Sequence, residues 1–172
     1  MQEKINVLID TSPLGDANAH RGIGVYTRKL TENLEKNSKL NVQRSTMNLP
    51  DKFKADIVHY PYFDFFFSTL PINHPAKAVV TVHDVIPLKF PENYSPGFKG
   101  SLKFMKQKFA LSKVQAIVTD SRASKADIVE HLGIPEDKIH VVYLAANEGL
   151  QAKTEKDIKR VSRKYSLPKN YL

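Results

Sequence analysis

The segment QAIVTDSRASKADIVEHLGIPEDKIHVVYL, residues 115–144, decides the fold. It begins and ends on short apolar runs, "QAIVTD" (115–120) and "KIHVVYL" (138–144), which read as buried strands. The middle carries helix punctuation. Ser121 stands where its hydroxyl can accept from the first N–H groups of a helix. Gly133 stands where the helix should end, since glycine takes the left-handed conformation at a C-terminus without a Cβ penalty. A strand, a helix and a strand in that order predict a right-handed crossover between parallel strands.

The same alternation extends towards the N-terminus. Four further strands read from "KINVLID" (4–10), "NVQRST" (41–46), "ADIVHY" (55–60) and "AVVTVHD" (78–84). Several are near-continuous Val/Ile runs, the pattern of strands covered on both faces. In "GVYTRKLTENLEKN" (24–37), Val25, Leu30 and Leu34 keep helical spacing and are expected to face the core. The predicted fold class is α/β: one Rossmann-like, doubly wound domain with a mostly parallel sheet of six or seven strands. Residues 1–150 form that domain. Residues 151–172 read as a linker helix ending in "LPKNYL" (167–172), which resembles the first residues of another strand.

Composition narrows the function classes. The chain has no cysteine, which excludes disulfides, thiolate chemistry and cysteine-ligated zinc and suits a reducing compartment. "MQEKINVLID" lacks the apolar stretch of a signal peptide, and nothing later could span a bilayer, so a cytoplasmic protein is expected. A formal net charge of +8 favours anionic partners: nucleotides, nucleic acid or an acidic membrane surface. Solubility alone is the plain alternative.

In open α/β sheets, ligands bind outside the carboxyl ends of the strands. Polar residues gather at those positions: Asp10 and Thr11 after the first strand, His59 and Tyr60 after the third, His83 and Asp84 after the fourth, and Asp120, Ser121 and Arg122 after the fifth. Each alone is more often a loop cap than a catalyst. The loop "RGIGVYTRKL" (21–30) adds Arg21, Gly22 and Gly24 at the start of a helix. Glycine there serves either turn geometry or the close approach of an anion to helix N–H groups. The loop lacks the third glycine of a dinucleotide fingerprint and lies too far from the first strand for one. No H-x-x-x-H pair or D-x-D pair suggests a metal, and no G-x-S-x-G elbow accompanies "HDV" (83–85).

One more segment stands out. On a helix over 98–114, Lys99, Lys103, Lys106 and Lys113 form one stripe, and Phe98, Leu102, Met105 and Phe109 form an adjacent apolar one. The ordinary expectation is an apolar side on the sheet and a basic side in solvent. The alternative is contact with an anionic lipid surface.

Taken together, these motifs resemble the N-terminal domain of the family-4, retaining glycosyltransferases of the GT-B fold. "RGIGVYTRKLTENL" (21–34) looks like that family's glycine loop and first helix, "ADIVHYPYF" (55–63) like its Asp-x-x-His-x-Pro strand end, and "VVTVHDVIPL" (79–88) like its His-Asp strand end. "VTDSRASKADIVEHLGIPEDKIHVVYLA" (118–145) resembles its last strand–helix–strand unit, so the likeness runs from residue 4 to 172. It is strongest to bacterial enzymes, often mannosyltransferases, that build O-antigen and other surface polysaccharides.

The resemblance implies a nucleotide-diphosphate sugar as donor, with GDP-mannose a candidate, a saccharide or lipid-linked acceptor, no metal or other cofactor, and no nucleic-acid partner. It implies that Gly22 and Gly24 admit the donor phosphate, that His83 lies against the transferred sugar, and that Asp84 positions it. Arg21, His59, Tyr60, Ser121 and Arg122 would bind substrate nearby. The donor-binding C-terminal domain would be a partner of this chain, which alone would be inactive. The expected location is the cytoplasm, at the inner face of the plasma membrane. A non-catalytic α/β binding module, or a subunit that docks on a separate donor-binding chain, stays open beside this reading.

Overall fold

A computed structural model describes residues 3–15, 17–46, 54–146 and 153–168. Among them, six strands form one sheet in the order β2-β1-β3-β4-β5-β6, and every neighbouring pair is parallel. The strands are β1 (Ile5–Asp10), β2 (Leu40–Ser45), β3 (Ile57–Tyr60), β4 (Lys77–Thr81), β5 (Ala116–Thr119) and β6 (Ile139–Val141). The helices are α1 (Gly22–Glu35), α2 (Ile86–Lys89), α3 (Gly97–Ser112), α4 (Arg122–Leu132) and α5 (Glu155–Lys164). This is the doubly wound α/β arrangement expected from the sequence. Its winding reverses between β1 and β3, which opens a crevice at the carboxyl end of those strands.

Strand alternation sorts the side chains. Leu8, Val58, Ala78, Val80 and Ile117 face the side that carries α3 and α4, and with Leu111, Ile128 and Ile139 they form the main core. Val7, Ile9, His59 and Thr81 share the other face, where α1 lies. The fifth crossover is as predicted: Ser121 Oγ accepts from Ser124 N at 3.0 Å, and Gly133 closes α4 at φ 68° with its N–H on Val129 O.

Three expectations need correction. Helix α1 is not seated on Val25, Leu30 and Leu34: its buried positions are Gly24, Thr27 and Thr31, and Val25 is exposed. Small side chains let this helix come close to its neighbours, and Thr31 Oγ1 satisfies itself on Thr27 O at 2.7 Å. Strand β6 is shorter than 138–144, and Val142, Tyr143 and Leu144 lie exposed beyond it. Helix α3 turns the opposite way from the ordinary expectation. Gly100, Gln107, Ala110 and Leu111 face the protein, whereas Phe98, Leu102, Met105 and Phe109 are exposed by 81, 54, 68 and 52%. The last residues of "LPKNYL", 169–172, lie outside the described residues.

Candidate functional site

The carboxyl edge of the sheet collects the predicted polar residues but divides them between its two faces. Residues 59 and 60 are neighbours on β3, so the pleat sends His59 towards α1 and Tyr60 into the main core. On the core side, Asp10, Ser45, Tyr60 and Asn73 contribute to a small cavity of about 90 Å³ at the switch point between β1 and β3. Burial, followed by the Asp10 carboxylate, pushes the Tyr60 phenol up to about 12. Asp10 is already occupied, accepting from Ser12 N at 3.0 Å and Ser12 Oγ at 2.7 Å.

The α1 side holds a connected set of side chains. Thr81 and Val118 are partners across β4 and β5, so two residues further along His83 comes to lie opposite Asp120. His83 Nδ1 stands 2.6 Å from Asp120 Oδ2. A carboxylate only accepts, so Nδ1 carries a proton and donates to Asp120. The His83 side chain is 22% exposed. Its Nε2 and the Asp120 Oδ1 are buried without a hydrogen-bond partner among the described residues. Each unpaired buried polar atom costs about 1–3 kcal/mol, so the pair stores an unmet demand for a hydrogen-bonding ligand.

Tyr26, one turn beyond Gly22 on α1, meets the His83 ring edge-on with centroids 4.7 Å apart. Its hydroxyl lies 3.1 Å from Thr81 Oγ1, which lies 2.9 Å from His59 Nε2. Burial pulls His59 down to about 4, so it is neutral near pH 7. Burial also raises the Tyr26 phenol, outweighing the lowering effect of its Thr81 hydrogen bond, and the Asp120 charge raises it further. Tyr26, Thr81 and His59 thus form one hydrogen-bonded chain. That chain fixes the wall on which His83 rests.

Other predicted site residues have different roles. Asp84 is exposed and does not hold His83: its Oδ1 accepts from Ile86 N at 2.9 Å and starts α2, while Asp120 takes the positioning place. Ser121 is engaged as the α4 cap, and Arg122 is exposed on the first turn of that helix. Arg21 is the residue before α1, exposed, with no side-chain cap on the helix start. A Cβ on Gly22 would meet nothing within 4 Å, so open space adjoins the first turn. Gly24 is different. A Cβ there would stand 2.3 Å from Asn18 O and 2.6 Å from Ala19 O, and its N–H is on Asn18 O at 3.1 Å. The chain's own loop, not a phosphate, requires that glycine.

Asp127, Glu130 and His131 on α4 offer ligand atoms within 4.8 Å of one another. Both Asp127 oxygens are on Lys89 Nζ, at 3.0 and 3.1 Å, so this cluster is accounted for as an ion pair. Among the described residues, no helix is long and apolar enough to cross a membrane.

Sequence reading missed Tyr26, Thr81 and the role of Asp120. Their signals are local spacing: Tyr26 follows Gly22 by one helical turn, and Thr81 precedes His83 by one strand repeat. Residues 7–148 match glycosyltransferase family 4. The chain is also similar to a crystal structure of a glycosyltransferase from Rickettsia africae ESF-5, with 19% identity and a TM-score of 0.43. That similarity covers 98% of this chain and 51% of the other, so the chain spans about half that protein's length. No curated protein matches the chain.

Proposed function

The chain belongs to glycosyltransferase family 4, and on that premise we propose that it is the acceptor-side half of a retaining, metal-independent glycosyltransferase. In this reading, residues 1–150 are a Rossmann-like domain, and residues 151–172 lead into a donor-binding domain without which transfer does not occur. The donor is a nucleotide-diphosphate sugar, with GDP-mannose the first to try. The acceptor is a saccharide of a surface polysaccharide.

The observation that carries the reading is the unpaired His83 Nε2, aimed by the Nδ1–Asp120 hydrogen bond beside the start of α1. A hydroxyl of the transferred sugar can hydrogen-bond to that nitrogen. Gly22 leaves room for the diphosphate to approach the α1 N-terminus, whose dipole favours negative charge, and Arg21 adds a cation there. When the sugar C1–O bond breaks, the electron pair leaves with the diphosphate, and the acceptor oxygen bonds C1 on the same face while its proton passes to the departing diphosphate oxygen. Positioning of the two reactants and stabilisation of the departing charge supply the catalysis. The small, mostly apolar cavity edged by Asp10 and Tyr60, at the same end of the sheet, suits part of the acceptor.

The test is transfer from a panel of radiolabelled nucleotide sugars by the protein with its donor-binding half, comparing His83→Ala with the parent. Transfer reduced tenfold or more by the variant, in the range lost with a positioned polar group, supports the reading. Nucleotide-sugar binding without transfer would mark a binding module instead.

A further inference from the structure

The outward stripe of α3 is not slack in the packing. Gln107, fully buried on the opposite side of the helix, donates from Nε2 to Leu70 O at 2.9 Å and accepts at Oε1 from Leu70 N at 2.9 Å and Thr69 N at 3.1 Å. These bonds fix the rotation of the helix about its axis. Phe98, Leu102, Met105 and Phe109, spaced i, i+4, i+7 and i+11, are therefore held away from the core. Exposed Phe67 extends the apolar surface, with Lys103 Nζ 5.3 Å from its ring centre, and Lys113 Nζ lies 4.6 Å from the Phe109 ring centre.

The charge around this stripe has one sign. Lys99, Lys103, Lys106 and Lys113 line one flank, Lys108 lies on the other, and all are exposed. No Asp or Glu occurs between Glu92 and Asp120. A second copy of the chain seated here would bring lysines against lysines. Helix α5, whose Ile158 and Val161 are also exposed, is itself flanked by Lys156, Lys159, Arg160, Arg163 and Lys164 and complements the patch no better. An apolar ridge bordered by lysines fits a surface that is negative outside and apolar beneath it.

We propose that α3 is a membrane-docking element that lies in the headgroup region of an anionic bilayer. The four apolar side chains enter the acyl boundary and the lysines engage acidic headgroups. This goes beyond the catalytic reading and does not depend on it. Helix α3 runs back from the carboxyl edge of the sheet, so Phe98, the most exposed of the four, marks the end nearest the candidate site.

The chain has no tryptophan, so Phe98→Trp introduces a single one, which can be excited apart from the tyrosines, at the proposed contact. Vesicles of phosphatidylcholine with phosphatidylglycerol should shift its emission to the blue and co-sediment the protein at low salt. Pure phosphatidylcholine vesicles should do neither. Val25→Trp, exposed on the opposite side of the sheet, should report no shift. Reversing Lys99, Lys103, Lys106 and Lys113 to Glu should weaken binding at least about a hundredfold, since each lysine contributes roughly fivefold. Phe98→Ser with Met105→Ser should keep low-salt binding and lose the part that survives added salt; both sites are exposed, so folding is not at issue. The proposal is overturned by equal binding to neutral and acidic vesicles, or by none to either. It is overturned as well if the Phe98→Trp shift appears without lipid and grows with protein concentration, which would assign the patch to a second copy.

Discussion

Two glycines two residues apart at the start of α1 should answer differently to the same substitution. In Gly24→Ala, the new methyl carbon would sit 2.3 Å from Asn18 O, closer than a carbon and an oxygen can approach, so the loop over residues 17–20 must move. Overpacking of this kind costs about 1–3 kcal/mol. Asn18 O also accepts from Arg21 N at 2.9 Å and from Gly24 N at 3.1 Å. Displacing it endangers two bonds of about 1 kcal/mol each, and the loss of one of them brings the total to about 2–4 kcal/mol. For a chain of this size that lowers Tm by about 5–15 °C. Gly22→Ala has open space and an ordinary φ, so it should stabilise by about 0.4–1 kcal/mol through the unfolded chain. Thermal denaturation of both variants checks the contrast, and nucleotide-sugar titration of Gly22→Ala checks the proposed phosphate approach. A Gly24→Ala variant with the parent's Tm would refute the packing argument. A Gly22→Ala variant that binds donor as tightly as the parent would refute the assignment of that first turn to the diphosphate.

The remaining predictions concern His83, His59 and Ser121. Asp120→Ala should lower turnover tenfold or more, as His83→Ala does, because the imidazole loses the hydrogen bond that aims it, whereas Asp84→Asn should stay within about twofold; transfer assays that reversed this order would restore Asp84 as the positioning residue. His59 titrates at about 4 in the folded chain and about 6.5 unfolded. The unfolded state therefore binds more protons between those values, and stability is full above pH 6.5 and falls as pH drops towards 4. Between about pH 7.5 and pH 5 the loss should be about 2 kcal/mol. His59→Gln should flatten this slope in urea unfolding, and an unchanged slope would mean that other groups, His74 among them, carry it. Ser121→Ala should cost about 1 kcal/mol through loss of the α4 cap, read as a Tm lower by about 2–4 °C.

Much of the fold was legible because its signals are local. Ser121 and Gly133 punctuate α4, and the apolar run of β1 is buried on both faces, as its composition implies, whereas β3 and β5 bury one face fully and the other in part. The misreadings share a cause. Apolar residues at helical spacing usually face the core, which is the expectation for the Val25, Leu30 and Leu34 stripe and the ordinary one, beside lipid contact, for the Phe98, Leu102, Met105 and Phe109 stripe. Helix α1 is instead seated through Gly24, Thr27 and Thr31, and α3 through Gly100, Gln107, Ala110 and Leu111. Most of these contacts are small or polar residues, and a hydrophobicity pattern does not register them.

The candidate site shows where reading by motif stops and reading by register must begin. His83 and Asp84 are adjacent, so a motif pairs them, yet neighbours on an extended strand point to opposite sides. The carboxylate that reaches His83 comes from the next strand, and the parallel partnership of Thr81 with Val118 sets its place. The same reasoning divides His59 from Tyr60: one supports the wall behind His83 through Thr81, and the other lines the cavity on the far face. Adjacency in sequence thus separated residues in space, and separation by a whole crossover joined them. A donor held at His83 and an acceptor held at Tyr60 would lie on opposite faces of the sheet and could meet only beyond its carboxyl edge. In the proposed function, a donor-binding domain would supply the other half of the cleft at that edge.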